Sequence, residues 1–524
     1  MSSAVEKVFS ANLAYIFGDA LPKTVAIALS GGVDSMSLIH LLDKYRHQHG
    51  KDMEISTVTV NHNLRQNSEE EAHAVGKIMS RLGVKHEIYN LEWPEGKDNI
   101  SAMEKQARVK RYMTLQRYCH EGSIGHVMTG HHLDDQLETF LQRLRYGSSV
   151  FGLRGMKMLS HMPVADVFPP SFVKPVQVAR PLLNITKQSL VEYCREHNHE
   201  WFEDPTNSDA KVTYRNGVRQ WLNDPAGFGV PEILQKNALL TTMKQVVAVG
   251  NDLDRKVEGL QSYLKERGLI TGILNTMSIT VVLPEEVFSK YDHLVINRFL
   301  YRTCFMISPS TQFAYKFSKF DSSFDLTNNK PMDLADNLRQ TLQTGEPAKF
   351  TLMNLNWKVT ARPDKSLEIK LSRESQRSYQ DSKAQSGSSM TLPIADSEEG
   401  LYLPKDGEWS EWFLFDNRCW MRMRLLGSVP EGLRSFRISN FSGKVSDLEG
   451  IFEEDLVELP FSQHKLQNQP IITYTWKDDE SREKIAGFPT WNTWSKWIKD
   501  RVEVKWRLKG EYEEGKPMVF ADEK

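Results

Sequence analysis

The chain has 524 residues, 40% of them hydrophobic and 26% charged, with a formal net charge of −2. That length exceeds what one core ordinarily serves, so two to four domains are expected, and the composition is that of an ordinary soluble globular protein. A near-neutral chain leaves any nucleic-acid contact to local basic patches, and no apolar run reaches the length of a membrane span. Cys119, Cys194, Cys304 and Cys419 lie far apart with no C-x-x-C pair, which argues against a zinc ribbon or an iron–sulfur cluster and for a reducing compartment. The N-terminal MSSAVEKVFSANLAYIFGDA has no secretory pattern and lacks the arginines of an organellar leader. An intracellular, soluble protein of the cytoplasm or the mitochondrial matrix is therefore expected.

Thr24 to Leu29 is a continuous apolar run, as in a strand buried on both faces, and Met36 to Tyr45 carries apolar residues at helical spacing. Between them lies Ser30-Gly31-Gly32-Val33-Asp34-Ser35. A strand, glycine turn and helix bring backbone N–H groups and a helix N-terminus to an anion. A carboxylate in the middle of such a loop is repelled by phosphate unless a cation intervenes, so Asp34 points to Mg²⁺ beside a nucleotide. The alternative is a plain glycine turn whose Asp caps the helix. The loop lacks the Lys of G-x-x-x-x-G-K-[ST], so it is not a Walker loop.

Next come a strand from Glu54 to Val60, ending at Asn61-His62-Asn63-Leu64-Arg65, a helix from Ser68 to Leu82 and a strand from Lys85 to Leu91. A helix from Ser101 to Cys119 carries Lys105, Arg108, Lys110, Arg111 and Arg117, either a solvated face or an RNA contact. The strand Ile124 to Thr129 runs into Gly130-His131-His132-Leu133-Asp134-Asp135, with Glu138 one turn later. Tandem Asp at a helix start also serves the helix dipole alone. Further on are a strand from Lys174 to Arg180, a helix from Lys187 to His197 and a loop Glu203-Asp204-Pro205-Thr206-Asn207. Repeated βα units predict an α/β fold, a parallel sheet with helices on both faces. Ligands bind such sheets beyond the carboxyl ends of their strands, where Ser30, His62 and His131 all fall.

From about Pro231 the pattern changes to longer amphipathic helices, Asn251 to Arg267 and Val287 to Thr303, with a strand pair near Lys349 to Leu371. Residues 372–391 are polar and Ser/Gln-rich, as in a linker, and the Trp- and Val-dense remainder reads as β-rich. The expected division is a nucleotide-binding domain over 1–228, a mainly helical region over 229–371, the linker, and a β-rich domain over 392–524. Phe313 to Phe320 interleaves aromatics with Lys, reading equally as an RNA platform and as a strand with a buried aromatic face. Trp491, Trp494 and Trp497, among Lys496, Lys499 and Arg501, read as a base-stacking ladder or, more often at that spacing, as a helix packing stripe.

The SGGVDS loop resembles the PP-loop of the N-type ATP pyrophosphatases. The run Gly130 to Ser148 followed by Gly152-Leu153-Arg154-Gly155-Met156 resembles the GHHxDDQxETxLxxLxRGSGxxGLxGM signature of the tRNA(Ile)-lysidine synthetases, departing at Tyr146 and Ser149. In that family's order, Val60 to Arg65 resembles V-D-H-G-L-R with Asn61 and Asn63 as departures. Glu104 to Tyr112 resembles E-x-x-A-R-x-x-R-Y, Arg180 to Leu183 R-P-L-L, Asp204 to Asn207 the D-x-[ST]-N loop, and Arg215 to Arg219 R-N-x-[IVL]-R, with Tyr214 shifted by one from the usual aromatic position. The resemblance is specific over Val25 to Leu222.

It implies ATP and Mg²⁺ as cofactors, and adenylation of the wobble cytidine of a CAU-anticodon isoleucine tRNA. Free lysine then displaces AMP to give lysidine, which switches decoding from AUG to AUA. On the matching positions it implies ATP binding by Ser30, Gly31, Gly32, Val33, Asp34, Ser35 and His62. Catalysis or lysine binding falls to His132, Asp134, Asp135, Glu138 and Arg111, and Mg²⁺ to Asp34 and Asp135. Contact with tRNA falls to Arg108, Arg111, Arg154, Arg215, Asn216 and Arg219. A PP-loop tRNA thiolase, which needs reactive cysteines, and an inactive tRNA-binding protein on the same fold are the alternatives. Oligomeric state, a dimer included, is left open.

Overall fold

The computed structural model describes the chain except residues 1–2, 19, 51, 64–66, 94–99, 164–175, 204–213, 274–275, 311–316, 322–333, 375–388, 396–400, 417, 429, 442, 444–447, 449–465, 467, 477–478 and 509–524, and except the side chains of 100–105, 214–215, 273 and 479–482. The loop 204–207, the side chain of Arg215 and most of the 372–391 linker therefore lie outside the described residues. The chain divides into two compact units, Met1–Gly250 and Asn251–Lys524.

The first unit begins with α1 (Ala4–Phe17), β1 (Thr24–Ala28), α2 (Val33–Gln48), β2 (Glu54–Asn61), α3 (Ser68–Arg81) and β3 (Lys85–Asn90). It continues with α4 (Ile100–Glu121), β4 (His126–Thr129), α5 (Leu133–Arg145), α6 (Val150–Leu153), β5 (Leu159–His161), β6 (Gln177–Ala179), α7 (Lys187–Glu196) and α8 (Tyr214–Asn223), and α9 (Lys236–Glu266) starts within it. The sheet order is β3-β2-β1-β4-β6-β5. All pairings are parallel except β5 with β6. The parallel α/β fold expected from the βα alternation is present.

Burial follows the residue pattern. Val25, Ala26 and Ile27 of β1 are wholly buried, because helices cover both faces of a parallel sheet. One face packs Ile27, Ile55 and Met128 against Leu38, Leu42 and Val75. The other sets Ala26, Val58 and Val127 against Tyr112, Leu115 and Cys119 of α4. A third cluster joins α5, α8 and the start of α9 through Phe140, Leu141, Val218, Leu222, Leu239 and Met243. The chain order reverses across β1, with β2 and β3 on one side and β4 and β6 on the other. The crevice at the carboxyl ends of β1 and β4 is therefore the topological switch point, where such folds take ligands.

In the second unit, β7 (Ile270–Ile273), β8 (Ser278–Pro284), β9 (Ala348–Leu352), β10 (Leu355–Ala361) and β11 (Ser366–Arg373) form a five-stranded sheet in the order β7-β8-β11-β10-β9. Helices α10 (Glu285–Lys290), α11 (His293–Phe305), α12 (Phe317–Asp321) and α13 (Leu334–Thr344) accompany it. The region is thus helical, as expected, but more of it is sheet than a single strand pair. Phe317 and Phe320 lie on α12, buried against Tyr301 and Trp357. The described end of the Phe313–Phe320 stretch is therefore helical core, neither a strand nor an RNA platform.

The remainder is β-rich, as read. A six-stranded sheet contains β12 (Ser389–Ala395), β13 (Leu403–Pro404), β16 (Leu433–Asn440), β17 (Pro470–Trp476), β18 (Asp479–Phe488) and β19 (Thr493–Trp494). A three-stranded one contains β14 (Phe413–Phe415), β15 (Cys419–Leu425) and β20 (Val502–Leu508). Trp491, Trp494 and Trp497 do not make a helix stripe. The first ends a 3₁₀ turn, the second lies on β19, and Trp497 stacks on Tyr474 with ring centroids 4.8 Å apart. A three-residue spacing cannot separate a helix from successive turns when Pro489 and Asn492 interrupt it.

Candidate active site

The loop after β1 is shaped by backbone demands. Gly31 has φ +82°, and a Cβ there would lie 2.7 Å from Val75 Cγ2. Ser35 Oγ closes the turn, donating to the Gly32 carbonyl at 3.0 Å and accepting from the Ser30 N–H at 3.2 Å. Helix α2 starts at Val33 with no side-chain cap on Gly32. The Ser35 and Met36 N–H groups donate to the Gly32 carbonyl at 3.1 and 3.0 Å, and the dipole of α2 favours an anion at this end.

The loop after β4 packs directly on this turn. A Cβ on Gly130 would lie 2.9 Å from the Asp34 carbonyl carbon and 3.0 Å from its oxygen, so only glycine permits the approach. It brings His132, 1% exposed, against Asp34. His132 Nε2 lies 3.5 Å from Asp34 Oδ1 and 3.4 Å from Asp135 Oδ2, and Nδ1 lies 3.7 Å from Asp134 Oδ2. Burial alone would lower the His132 pKa. The Asp34 contact and the charges of Asp135 and Asp134 outweigh it, and the net direction is upward. Asp135 also accepts from the His132 backbone N–H at 3.1 Å.

Asp34, Asp134 and Asp135 thus converge around one imidazole, and Glu138 is linked to Asp135 through Arg219. The structure adds three cations. Lys236 Nζ donates to Asp134 Oδ1 at 2.7 Å and to Asn223 Oδ1 at 3.0 Å. The Lys187 backbone N–H donates to Asp134 Oδ2 at 2.9 Å, and Lys187 Nζ lies 3.5 Å from Asp34 Oδ2. Burial raises the Asp134 pKa, but the Lys187 N–H and Lys236 outweigh it and the carboxyl is held below its usual range. Arg219, expected to meet tRNA, instead donates its Nε to Glu138 Oε1 at 2.5 Å and approaches Asp135 Oδ1 at 3.5 Å. Lys187 and Lys236 were missed because each begins a helix far along the chain, and a lone Lys carries no motif.

Two other expected tRNA contacts also have protein partners. Arg154 donates to the Phe151 and Gly250 carbonyls, and its aliphatic stem fills the space beside Gly250. Asn216 is buried on α8. The GLxGM part of the signature is itself held from α5. Gln136 pairs with Met156 through Nε2 to O at 2.8 Å and N to Oε1 at 2.7 Å, and Arg143 donates to the Gly152 and Gly155 carbonyls.

A basic wall stands beside the carboxylates. Arg108 and Arg111 lie over the Tyr112 ring at 5.0 and 5.4 Å. His62, at the end of β2, has its pKa lowered to about 4 by burial and then by Arg111. His131, bound to Thr129 Oγ1 at 2.7 Å, is lowered to about 3, chiefly by burial, with Arg180, Arg111 and Arg108 adding to it. Lys110 faces away, donating to the Glu92 carbonyl and lying 4.7 Å over the Trp93 ring.

Among the described residues no group of three or more His, Cys, Asp or Glu has metal-binding geometry. Mg²⁺, however, usually takes one or two carboxylates and keeps water and phosphate oxygens for the rest. Asp34 and Asp135 supply that donor chemistry, and among the described residues buried Asp34 Oδ1 has only His132 Nε2 near it, at 3.5 Å and outside good hydrogen-bond geometry. The residues fit such an ion.

The comparisons concern this unit. Residues 5–225 match the PP-loop domain family. A tRNA(Ile)-lysidine synthase of Rickettsia akari (strain Hartford) is 35% identical over 226 residues, 43% of this chain and 48% of that protein. One from Wolbachia pipientis wMel is 36% identical over 223 residues, 42% of this chain and 47% of that protein. The chain thus spans about half the length of these relatives. Among solved structures, the U34-tRNA thiolase NcsA from Methanococcus maripaludis aligns with a TM-score of 0.35 at 18% identity, covering 47% of this chain and 79% of that one. Residues 5–225 thus match the PP-loop domain family, and somewhat under half of the chain is similar in sequence to tRNA(Ile)-lysidine synthases.

Proposed function

We propose that the chain is an ATP-dependent ligase that makes lysidine. The C2 carbonyl oxygen of the wobble cytidine of a CAU-anticodon isoleucine tRNA attacks the α-phosphorus of ATP, and pyrophosphate leaves. The ε-amine of free lysine then attacks C2, and AMP leaves. The observation that carries this reading is the meeting of Asp34 with His132, Asp134 and Asp135 at the β1/β4 switch point, in a domain whose sequence matches lysidine synthases.

The chemistry needs a good leaving group on a carbon that otherwise bears a poor one, and adenylation supplies it. Loop N–H groups of residues 31–34 and the α2 N-terminus would cradle the β and γ phosphates. Asp34 and Asp135 would hold Mg²⁺, which neutralises phosphate charge when bound. Asp134 and Glu138 offer negative charge to a lysine ammonium and a place for its proton. His132, buried and held towards its protonated form, suits a positioning role between carboxylates better than the role of a base. Arg111, beside the neutral His62 and His131, is suited to hold an extruded cytosine by its carbonyl. Arg108 would extend that contact along the tRNA, Arg215 is a further tRNA contact by its motif alone, and Arg154, Asn216 and Arg219 would support the site from behind.

On this reading residues 1–228 are the catalytic domain, 229–371 a tRNA-binding region, 372–391 a linker, and 392–524 a β-rich domain with no assigned task. The cytoplasm or a mitochondrial matrix supplies ATP, lysine and tRNA together. A thiolase has no observation in its favour. All four cysteines are buried, and burial pushes Cys119 up to about 12 and raises Cys194, which leaves neither as a ready thiolate. The reading is tested by AMP release from ATP, in the presence of free lysine, with a CAU-anticodon tRNA and with the same tRNA carrying U at the wobble position. AMP release dependent on the cytidine supports it, and equal release from both tRNAs contradicts it.

A further inference from the structure

The SGGVDS loop has no lysine, although a loop that holds a polyphosphate ordinarily has a cation to clamp its terminal phosphates. We infer that Lys187, from the first turn of α7, supplies that cation and clamps the pyrophosphate part of ATP. The inference rests on the ATP-pyrophosphatase reading of the site and assigns within it a residue that the motifs do not contain.

The geometry separates main chain from side chain. Thr186 caps α7 by accepting from the Ser189 N–H, and the Lys187 N–H is tied to Asp134 Oδ2 at 2.9 Å. The Cα is therefore fixed beside the carboxylate cluster. The ammonium is not fixed in the same way. It stands 3.5 Å from Asp34 Oδ2, beyond a good hydrogen bond, and its side chain is 49% exposed. Lys236 behaves differently. Its Nζ makes two hydrogen bonds, to Asp134 and Asn223, and is committed to the protein.

A half-exposed ammonium on a flexible stem, facing the one carboxylate embedded in an anion-binding turn, is placed to change partners. When a polyphosphate occupies the turn, its charge exceeds that of a single carboxylate and draws the ammonium by a small rotation of the side chain. As the α–β bridging P–O bond breaks, its electron pair goes to the departing pyrophosphate. A cation at that end lowers the cost of the developing charge without gaining or losing a proton.

The test is calorimetric binding of inorganic pyrophosphate with magnesium, and of AMP, to the full-length wild type, Lys187→Met and Lys187→Arg. The expected result is a loss of pyrophosphate affinity of about 10- to 100-fold in Lys187→Met, with AMP affinity and melting temperature unchanged. Lys187→Arg keeps the charge and should retain most of the pyrophosphate affinity. Pyrophosphate binding by Lys187→Met as tight as wild type overturns the inference and leaves the ATP-pyrophosphatase reading standing. A wild type that binds neither pyrophosphate nor AMP overturns both. Equal loss of pyrophosphate and AMP binding in Lys187→Met and Lys187→Arg marks a structural role and also overturns the clamp.

Discussion

His132 Nε2 lies 3.5 Å from Asp34 Oδ1, so the phosphate-type turn after β1 and the acidic helix start after β4 are joined through one buried imidazole. The joint works in both directions. Three carboxylates hold the imidazole towards its cationic form, and the cation lets three carboxylates share a small volume without repelling one another apart.

That joint has a pH signature. A group whose folded pKa is raised contributes stability that is fully present below its unfolded value, near 6.5, and lost as pH rises through the folded value. Wild type should therefore lose stability relative to His132→Gln as pH climbs from about 6.5 into the alkaline range. Urea melts of both proteins between pH 6 and 9 check this, and a constant difference across that range contradicts the assignment.

The acid side has the opposite sign. His62, His131 and His199 have folded pKa values of about 4, 3 and 4, lowered first by burial. They are neutral when folded, so the unfolded chain binds more protons below about pH 6.5, and stability falls as pH drops from there. The combined loss between pH 7 and 5 should be on the order of 3 kcal/mol, after discounting for partial exposure. His199→Asn should remove part of that slope, as measured by thermal melts across the same interval.

Gly130→Ala forces a Cβ against backbone atoms of Asp34 that have no room to move aside. It should destabilise the first unit by about 1–3 kcal/mol and weaken ATP binding, because the loop that would hold phosphate is the one displaced. Melting temperature and nucleotide titration on the same sample measure the two effects, and unchanged ATP binding would show that the loops act independently.

Arg111→Ala should reduce adenylation of tRNA more than ATP binding, by on the order of 1–3 kcal/mol. Lys110→Ala should cost far less in chemistry, since its ammonium serves the Glu92 carbonyl and the Trp93 ring. Matched-salt kinetics of the two variants decide it. A larger defect in Lys110→Ala would remove Arg111 from the cytidine site.

The parallel sheet and its crevice were legible because β1 is an apolar run, β2 is rich in β-branched residues, α2 has apolar residues at helical spacing, and Ser30, His62 and His131 follow the ends of their strands. The carboxylate grouping was legible because Asp34 and the Asp134–Asp135–Glu138 set lie in two short motifs. Lys187 and Lys236 were not, since they reach the site by tertiary placement of helix starts that no spacing encodes. Arg154 and Arg219 look from the sequence like nucleic-acid contacts. Nothing in the one-dimensional pattern distinguishes an arginine that meets phosphate from one that meets Glu138 or the Gly250 carbonyl. The three-residue tryptophan spacing misled because turns after Pro489 and at Asn492 take the place of the helix it suggests.

Asp34→Asn removes the carboxylate that faces both His132 and Lys187. It should abolish AMP formation while leaving tRNA affinity within about twofold, since Asp34 acts only on the nucleotide side. Near-normal turnover by that variant would remove Asp34 from metal and phosphate chemistry.

The most direct test of lysidine formation is nucleoside mass spectrometry of a CAU-anticodon isoleucine tRNA incubated with the protein, ATP and isotopically labelled lysine. The account predicts one cytidine, at the wobble position, heavier by one labelled lysine less a water, and only when ATP is present. Unmodified cytidine, or a sulfur-containing nucleoside in its place, would contradict it.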